Sequence, residues 1–133
     1  MEDKLKLLIV DDDEISRFYV SYIYKKTAKV DTADDAESGI MKASQTIYNL
    51  VILDIGLRGA LSGIDVLKAI RKLPEYDKIP IIAFTAFALA GDREKFISEG
   101  FDDYIAKPLT KEDMFNIVER NLQKYAELKK WLK

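Results

Sequence analysis

Short apolar runs alternate with segments of helical periodicity along the chain. Five runs rich in branched or aromatic residues are typical of strands, because such side chains suit a pleated, buried surface. These runs are residues 5–10, 29–33, 49–53, 79–84 and 103–106. We therefore predict five strands, joined by helical segments.

The first helical segment has the clearest periodicity. Its apolar residues recur at i, i+3, i+4, i+7 and i+8, which predicts one face of a helix. They are Ile15, Phe18, Tyr19, Tyr22 and Ile23.

The segment 88–99 has the weakest apolar pattern of the predicted helices. Phe96 and Ile97 are its main anchors, and Gly100 is the expected C-cap. With so few apolar anchors, we expect this helix to have low local stability.

Strict alternation of five strands and five helices predicts an α/β domain with a parallel sheet covered by helices on both faces. Ligands of such sheets bind beyond the carboxyl ends of the strands, where strand order reverses. Prominent polar residues follow four of the predicted strands. They are Asp11, Asp12 and Asp13 after the first, Asp54 after the third, Thr85 after the fourth and Lys107 after the fifth.

The first of these strand ends reads LIVDDDE over residues 8–14. Two like charges at about 4 Å repel by roughly 4 kcal/mol at an effective dielectric near 20, so this cluster needs a cation, a lysine or a helix N-terminus beside it. Taken alone, the aspartates are more often caps of the next helix than ligands. We assign Asp13 and Glu14 to that N-terminus, where the helix dipole favours carboxylates.

Composition excludes several classes of function. The chain has 133 residues, the size of one domain. It has 21 basic and 23 acidic residues and a net charge of −2. Because basic residues are not in excess, the charge does not indicate binding to nucleic acid or anionic lipid. It contains neither cysteine nor histidine, which removes thiol nucleophiles, zinc–thiolate sites and any phosphohistidine of its own. We find no signal peptide and no apolar run near the roughly 18 residues of a membrane span, and we expect a soluble, cytoplasmic protein.

Four motifs at the strand ends, LIVDDDE, VILDIGL, AFTA and YIAKP, resemble in order and spacing the receiver domain of two-component response regulators. Within that family the chain looks most like receivers attached to hybrid histidine kinases and their stand-alone relatives. The resemblance implies a flavodoxin-like (βα)5 doubly wound parallel sheet, with strand order 2-1-3-4-5. It covers a receiver domain at residues 1–122, and residues 123–133 then extend the last helix.

The resemblance also implies a role for seven residues. It identifies Asp54 as the phosphoacceptor, Asp11, Asp12, Asp54 and the Gly56 carbonyl as Mg²⁺ ligands, Thr85 and Lys107 as contacts of the phosphoryl group, and Thr85 and Tyr104 as the switch. The implied partner is a histidine kinase or histidine phosphotransfer protein, and the surface of the fourth helix, fifth strand and fifth helix would then bind an effector or a second copy. Self-phosphorylation and self-dephosphorylation would make this a signalling domain rather than a turnover enzyme.

Elementary chemistry of the residues agrees with this role. Charge spreads over three equatorial oxygens in the transition state of phosphoryl transfer, so a site for it needs positive charge and in-line positioning. Magnesium prefers hard oxygen ligands. Asp11, Asp12 and Asp54 at neighbouring strand ends could share one such ion, with Lys107 balancing the remaining charge.

The loop after Asp54 departs from the family pattern. It reads DIGLRGALSG, without the usual Met-Pro, and reaches the corresponding glycine, Gly63, after nine positions instead of eight. We therefore expect one extra residue in this loop.

Three functional hypotheses follow. The first is a receiver that acts alone, and the second is the receiver portion of a longer hybrid kinase or regulator. The third is a flavodoxin-like cofactor binder or an aspartate phosphatase. A flavin site would have a Ser/Thr/Gly-rich loop after the first strand, and a phosphatase a second aspartate at position 56. Carboxylates and Gly56 stand there instead, which disfavours the third hypothesis.

Overall fold

The computed structural model describes residues 4–86, 91–107 and 110–124, in which five strands alternate with five α-helices. The strands are β1 (Leu5–Val10), β2 (Ala28–Ala33), β3 (Leu50–Asp54), β4 (Ile81–Thr85) and β5 (Asp103–Ala106). The helices are α1 (Glu14–Tyr24), α2 (Ala36–Gln45), α3 (Gly63–Arg71), α4 (Asp92–Glu99) and α5 (Lys111–Leu122), with a short 3₁₀ helix at Pro74–Tyr76. Most of the predicted C-terminal extension, residues 125–133, lies outside the described residues.

The five strands form one sheet with the order β2-β1-β3-β4-β5, and all four neighbouring pairs are parallel. One buried cluster joins the sheet to α2, α3 and α4, and a second joins its other face to α1 and α5. Since strand order reverses between β1 and β3, the carboxyl ends of these strands border the crevice at which such sheets bind ligands. The predicted doubly wound, flavodoxin-like fold is confirmed.

Two predicted strands begin and end slightly earlier in the sequence than the observed ones. The predicted strands 49–53 and 79–84 are observed as Leu50–Asp54 and Ile81–Thr85. Asp54 and Thr85 are therefore the last residues of their strands instead of the first residues after them. Pairing with neighbouring strands fixes their backbone at the sheet edge.

The predicted apolar face of α1 is buried only in part. Ile23 and, partly, Tyr19 pack on the sheet as predicted, together with Val20, which lies outside the predicted face. The other three predicted residues stay exposed: Ile15 is 77% exposed, Phe18 70% and Tyr22 58%. Helix α1 thus carries two apolar stripes, and the periodicity identified the helix without indicating which stripe the sheet would cover. Three large side chains, Ile15, Phe18 and Tyr22, remain at the surface, and we call them the α1 stripe.

Helix α4 agrees with the weak anchoring expected from the sequence. Phe96 is its one buried side chain, and its ring packs edge-on against Phe101 at a centroid distance of 6.0 Å. The helix ends at Gly100, whose φ of 119° is in the left-handed region that favours glycine, so the predicted C-cap is confirmed. The start predicted at residue 88 lies outside the described residues.

Arg71 at the end of α3 connects several segments that precede β4 and β5, at the amino ends of the strands. Its guanidinium donates to the carbonyls of Tyr76 (2.6 Å), Ile79 (2.9 Å) and Gly100 (3.3 Å) and to the Asp102 carboxylate (2.6 Å). The Asp102 side chain is only 7% exposed, so its charge depends on such partners.

We predict that Arg71→Ala lowers the free energy of unfolding by about 2–4 kcal/mol, because it removes one of the two cations beside a buried carboxylate, leaving Lys124, and takes the donors from three carbonyls. Urea denaturation of the two proteins measures this change. The adjacent exposed residue provides a control, since Lys72→Ala should change stability by less than about 0.5 kcal/mol. Equal effects of the two substitutions would contradict the role given to Arg71.

Candidate functional site

Three carboxylates meet at the carboxyl ends of β1 and β3. One oxygen from each of Asp11, Asp12 and Asp54 lies within 4.8 Å of the others. Asp11 is completely buried and Asp54 is 7% exposed. The site thus gathers hard oxygen donors, which suit a small divalent cation such as Mg²⁺.

Lys107, which follows β5, supplies positive charge to this cluster. Its ammonium donates to Asp11 Oδ2 at 2.8 Å and lies 3.9 Å from Asp54 Oδ2. The side chain crosses the ring of Phe84, with Nζ 4.7 Å from the ring centroid. The fully buried Asp11 charge therefore has an ion-pair partner that is 96 residues away in the sequence.

Asp54 lies where its carboxylate is costly to ionise. Burial and then the neighbouring Asp11 carboxylate raise the pKa of Asp54 to about 6. The Gly56 N–H, which donates to Asp54 Oδ1 at 3.0 Å, and the Lys107 ammonium oppose this rise in pKa. A cation bound to Asp54 would favour its ionised form in the same way.

Asp13 is separate from the cluster in function, although it is adjacent in sequence. It is the N-cap of α1, and its carboxylate accepts hydrogen bonds from the Ser16 hydroxyl at 2.9 Å and the Ile15 N–H at 3.1 Å. The Ser16 hydrogen bond is the main cause of a lowered pKa for Asp13. Glu14 stands in the first turn of the helix. The assignment of these two residues to the helix N-terminus is confirmed.

The loop after β3 folds back over Asp12. The Arg58 N–H donates to Asp12 Oδ2 at 3.1 Å, and the Arg58 guanidinium lies 3.3 Å from the same oxygen. The loop returns at Gly63, where an added Cβ would lie 2.2 Å from the Asp54 carbonyl oxygen. Only glycine fits this close approach, which explains why a glycine stands where the loop returns to the strand end. Sequence reasoning missed Arg58, because no local pattern marks a pairing with a residue 46 positions away.

Of the remaining predicted site residues, Thr85 and Gly56 lie at the same sheet edge, whereas Tyr104 lies in β5, two residues before the end of that strand. Thr85 is the last residue of β4 and is 3% exposed, and its carbonyl accepts a hydrogen bond from the Lys107 N–H at 2.8 Å. Tyr104 in β5 is half-buried, and its ring lies 5.8 Å from that of Phe96 in α4. Gly56 is exposed, and an added Cβ there would contact only Asp54 Oδ1, at 3.9 Å.

An open cleft of about 540 Å³ adjoins the cluster. Its walls are mostly apolar and include Ile15 and Tyr19 of α1, Phe84 of β4, and Lys107. Ile15 is also the first residue of the α1 stripe, so this exposed apolar surface begins beside the carboxylates.

Comparison with known proteins gives consistent matches. The family model described as the response regulator receiver domain matches residues 7–119. The chain is 30% identical over 130 residues to the hybrid signal transduction histidine kinase I of Dictyostelium discoideum, and 30% identical over 122 residues to the signal transduction histidine-protein kinase BarA of Escherichia coli K12. These alignments cover 92% and 90% of this chain but only 7% and 13% of the two kinases.

A solved receiver domain has the same fold. The receiver domain of the sensor histidine kinase PA1611 from Pseudomonas aeruginosa PAO1 is 28% identical, with a TM-score of 0.79 over 89% of this chain and 97% of that domain. Its crystal structure holds a magnesium ion coordinated in the active site cleft. In the described part of the present chain, no helix has the length and apolar character needed to span a membrane.

We predict that Asp54→Asn stabilises the metal-free protein at pH 8 by roughly 1–3 kcal/mol. The pKa of Asp54 is higher in the folded state (about 6) than its usual value of 3.8, so the folded protein binds more protons and loses stability as pH rises from about 4 to about 6. The advantage of the variant should therefore be small at pH 4, grow to about pH 6 and then stay constant.

Urea denaturation in EDTA at several pH values measures this difference. Asp34→Asn, on an exposed loop, is the matched control and should show no such pH-dependent gain. A pH-independent difference between Asp54→Asn and the parent would contradict the raised pKa.

Proposed function

Because this chain belongs to the response regulator receiver family, we propose that it accepts a phosphoryl group on Asp54 from a phosphohistidine of a histidine kinase or histidine phosphotransfer protein. The observation that carries this proposal is the convergence of Asp11, Asp12, Asp54 and Lys107 at one edge of the sheet. These residues come from three strand ends, and together they supply a nucleophile, cation ligands and a fixed positive charge.

Asp54 is the proposed nucleophile. Its carboxylate oxygen forms the new O–P bond while the N–P bond of the phosphohistidine breaks, and the electron pair of that bond stays on the imidazole nitrogen. Mg²⁺ held by Asp11, Asp12, Asp54 and the Gly56 carbonyl would supply positive charge to the phosphoryl oxygens. The donor set fits this ion, since every ligand is a hard oxygen.

Lys107 and Thr85 are the proposed contacts of the transferred group. Lys107 Nζ is already 3.9 Å from Asp54 Oδ2, so a small side-chain movement brings the ammonium to a phosphoryl oxygen on Asp54. Thr85 lies at the end of the neighbouring strand, where a hydroxyl can donate to a second oxygen. Both groups act by stabilising charge that develops during transfer.

The proposed output is a rearrangement of α4, β5 and α5. Tyr104 acts as the switch because its ring contacts Phe96, the one buried side chain of α4, so movement of the tyrosine disturbs the main anchor of that helix. A second connection runs through the buried Asp103, which is paired with Arg93 of α4 at 3.6 Å and Arg120 of α5 at 2.7 Å. Repacking at Tyr104 therefore changes the surface offered to an effector or a second copy.

The proposed binding surface for the phosphohistidine donor lies beside α1. The α1 stripe exposes three large apolar side chains and begins at the cleft next to Lys107. Exposed apolar patches of this kind mark protein contacts, and a donor bound there would bring its phosphohistidine close to Asp54.

A receiver within a longer protein is the second candidate. The kinases that match are many times longer than this chain, and the matched region is only 7% and 13% of their length. The phosphoryl chemistry proposed for Asp54 is the same in both cases. The reading frame in the genome distinguishes them.

We expect the protein to gain one phosphoryl group when it is incubated with Mg²⁺ and a small phosphodonor such as acetyl phosphate, as measured by intact mass. Asp54→Asn should gain none, and EDTA should prevent the gain in the parent. Lys107→Ala should be phosphorylated more than about tenfold more slowly, because it removes the ammonium that stabilises the transferred group. Equal labelling of the parent and Asp54→Asn would refute the assignment of Asp54.

We also expect hydrogen exchange in residues 91–106 to change when beryllofluoride and Mg²⁺ are added as a mimic of the phosphoryl group, because α4 has few apolar contacts to hold it in one position. Exchange in α2, which packs against β1 and β2 at the other end of the sheet, should stay the same. Asp54→Asn treated identically is the control. If residues 91–106 exchange at the same rate with and without the mimic, the proposed output surface is wrong.

A further inference from the structure

A groove of about 290 Å³ lies between the end of α1 and the first turns of α5. Its walls carry three lysines, Lys25, Lys26 and Lys111, together with the rings of Tyr22 and Phe115, and no carboxylate of the described residues lines it. The chain as a whole has a net charge of −2, so this groove is a local concentration of positive charge on an acidic protein. We call it the lysine groove.

The cations of the lysine groove are positioned by aromatic rings. Lys25 Nζ lies 4.6 Å from the centroid of the Tyr22 ring, and Lys111 Nζ lies 5.7 Å from that of Phe115. Within the described residues, none of the three lysines forms an ion pair with a carboxylate. Their charge is thus available to an external anionic group, while the rings restrict where two of the ammonium groups lie.

The lysine groove is continuous with the surface beside the acidic cluster. Tyr22 belongs both to the groove and to the α1 stripe, and its ring stacks on that of Phe18 at a centroid distance of 6.2 Å. The eight residues from Ile15 to Tyr22 span about 10 Å of helix. One surface therefore leads from the cleft at Lys107, along three exposed apolar side chains, to a cationic end.

We propose that the lysine groove binds carboxylates of the phosphohistidine donor and so selects which donor can use Asp54. The partner that fits is a helix with an apolar stripe whose acidic side chains lie about 10–15 Å from the reactive histidine, measured along the helix. This inference rests on the proposed function. Three lysines in a concave, aromatic groove favour such a protein over a nucleic acid or a membrane, which is bound by broader basic surfaces.

The test is a charge reversal at the lysine groove in the full chain. The donor used is the purified phosphohistidine protein from the same genome that labels Asp54 fastest, and acetyl phosphate is the parallel small donor. The test variant is K25E/K26E/K111E. The control variant K68E/K72E/K78E makes the same change of charge at three exposed lysines of α3 and the segment after it.

We expect K25E/K26E/K111E to lower the second-order rate constant of transfer from the protein donor by about tenfold or more, and to weaken the salt dependence of that transfer. The control should change it less than about twofold. Acetyl phosphate should label all three proteins at the same rate, because it does not contact the groove. Replacing a glutamate of the donor helix with lysine should partly restore transfer to the test variant.

Each other outcome overturns the inference. Transfer to the test variant at the parental rate, or equal slowing in the control, removes the groove from donor selection. If phosphatidylserine vesicles or single-stranded DNA bind the parent but not the test variant, and transfer is unchanged, the groove serves lipid or nucleic acid instead.

Should the test variant be less folded by circular dichroism, K25Q/K26Q/K111Q is compared with K68Q/K72Q/K78Q by the same criteria. Failure of acetyl phosphate to label the parent refutes the proposed function separately.

Discussion

The ion pair between Lys107 and Asp11 is the interaction on which the site depends. Asp11 is completely buried beside two other carboxylates, an arrangement that is strongly unfavourable without a nearby cation. The ammonium that offsets it comes from the end of β5 and passes over Phe84 to reach the end of β1. Because neighbouring strands are parallel, their carboxyl ends lie at one edge of the sheet, and the order β2-β1-β3-β4-β5 places β1 next to β3 there.

Asp54 illustrates how a buried carboxylate lowers the stability of the folded protein at neutral pH. Burial and Asp11 raise its pKa, so at neutral pH its ionised form opposes folding, while the Gly56 N–H and Lys107 limit the effect. The surrounding structure holds the residue rigidly, because Asp54 is the last residue of a strand with β1 on one side and β4 on the other. The network around Arg71 stabilises the opposite edge of the same sheet, where no reactive group is involved.

The surface has two regions with different chemistry. The side formed by α4, β5 and α5 is held by one buried ring and by the charges around Asp103, so few contacts need to change for it to repack. The α1 side presents apolar and cationic groups that no described part of the chain covers. This division is consistent with the proposed function, in which one partner supplies a phosphoryl group and another binds a changed surface.

The sequence alone determined the alternation of strands and helices, the parallel sheet, the helix caps at Asp13 and Gly100, and the gathering of Asp11, Asp12, Asp54 and Lys107 at one edge. These follow from local periodicity, capping chemistry and the geometry of parallel strands, all of which can be found in short stretches of residues. The tertiary structure alone decided that the sheet covers Val20 and Ile23 and leaves Ile15, Phe18 and Tyr22 exposed, that Arg58 pairs with Asp12, and that Gly63 must be glycine. Each of these depends on contacts between segments that are distant in sequence, and such contacts leave no periodic pattern in the chain.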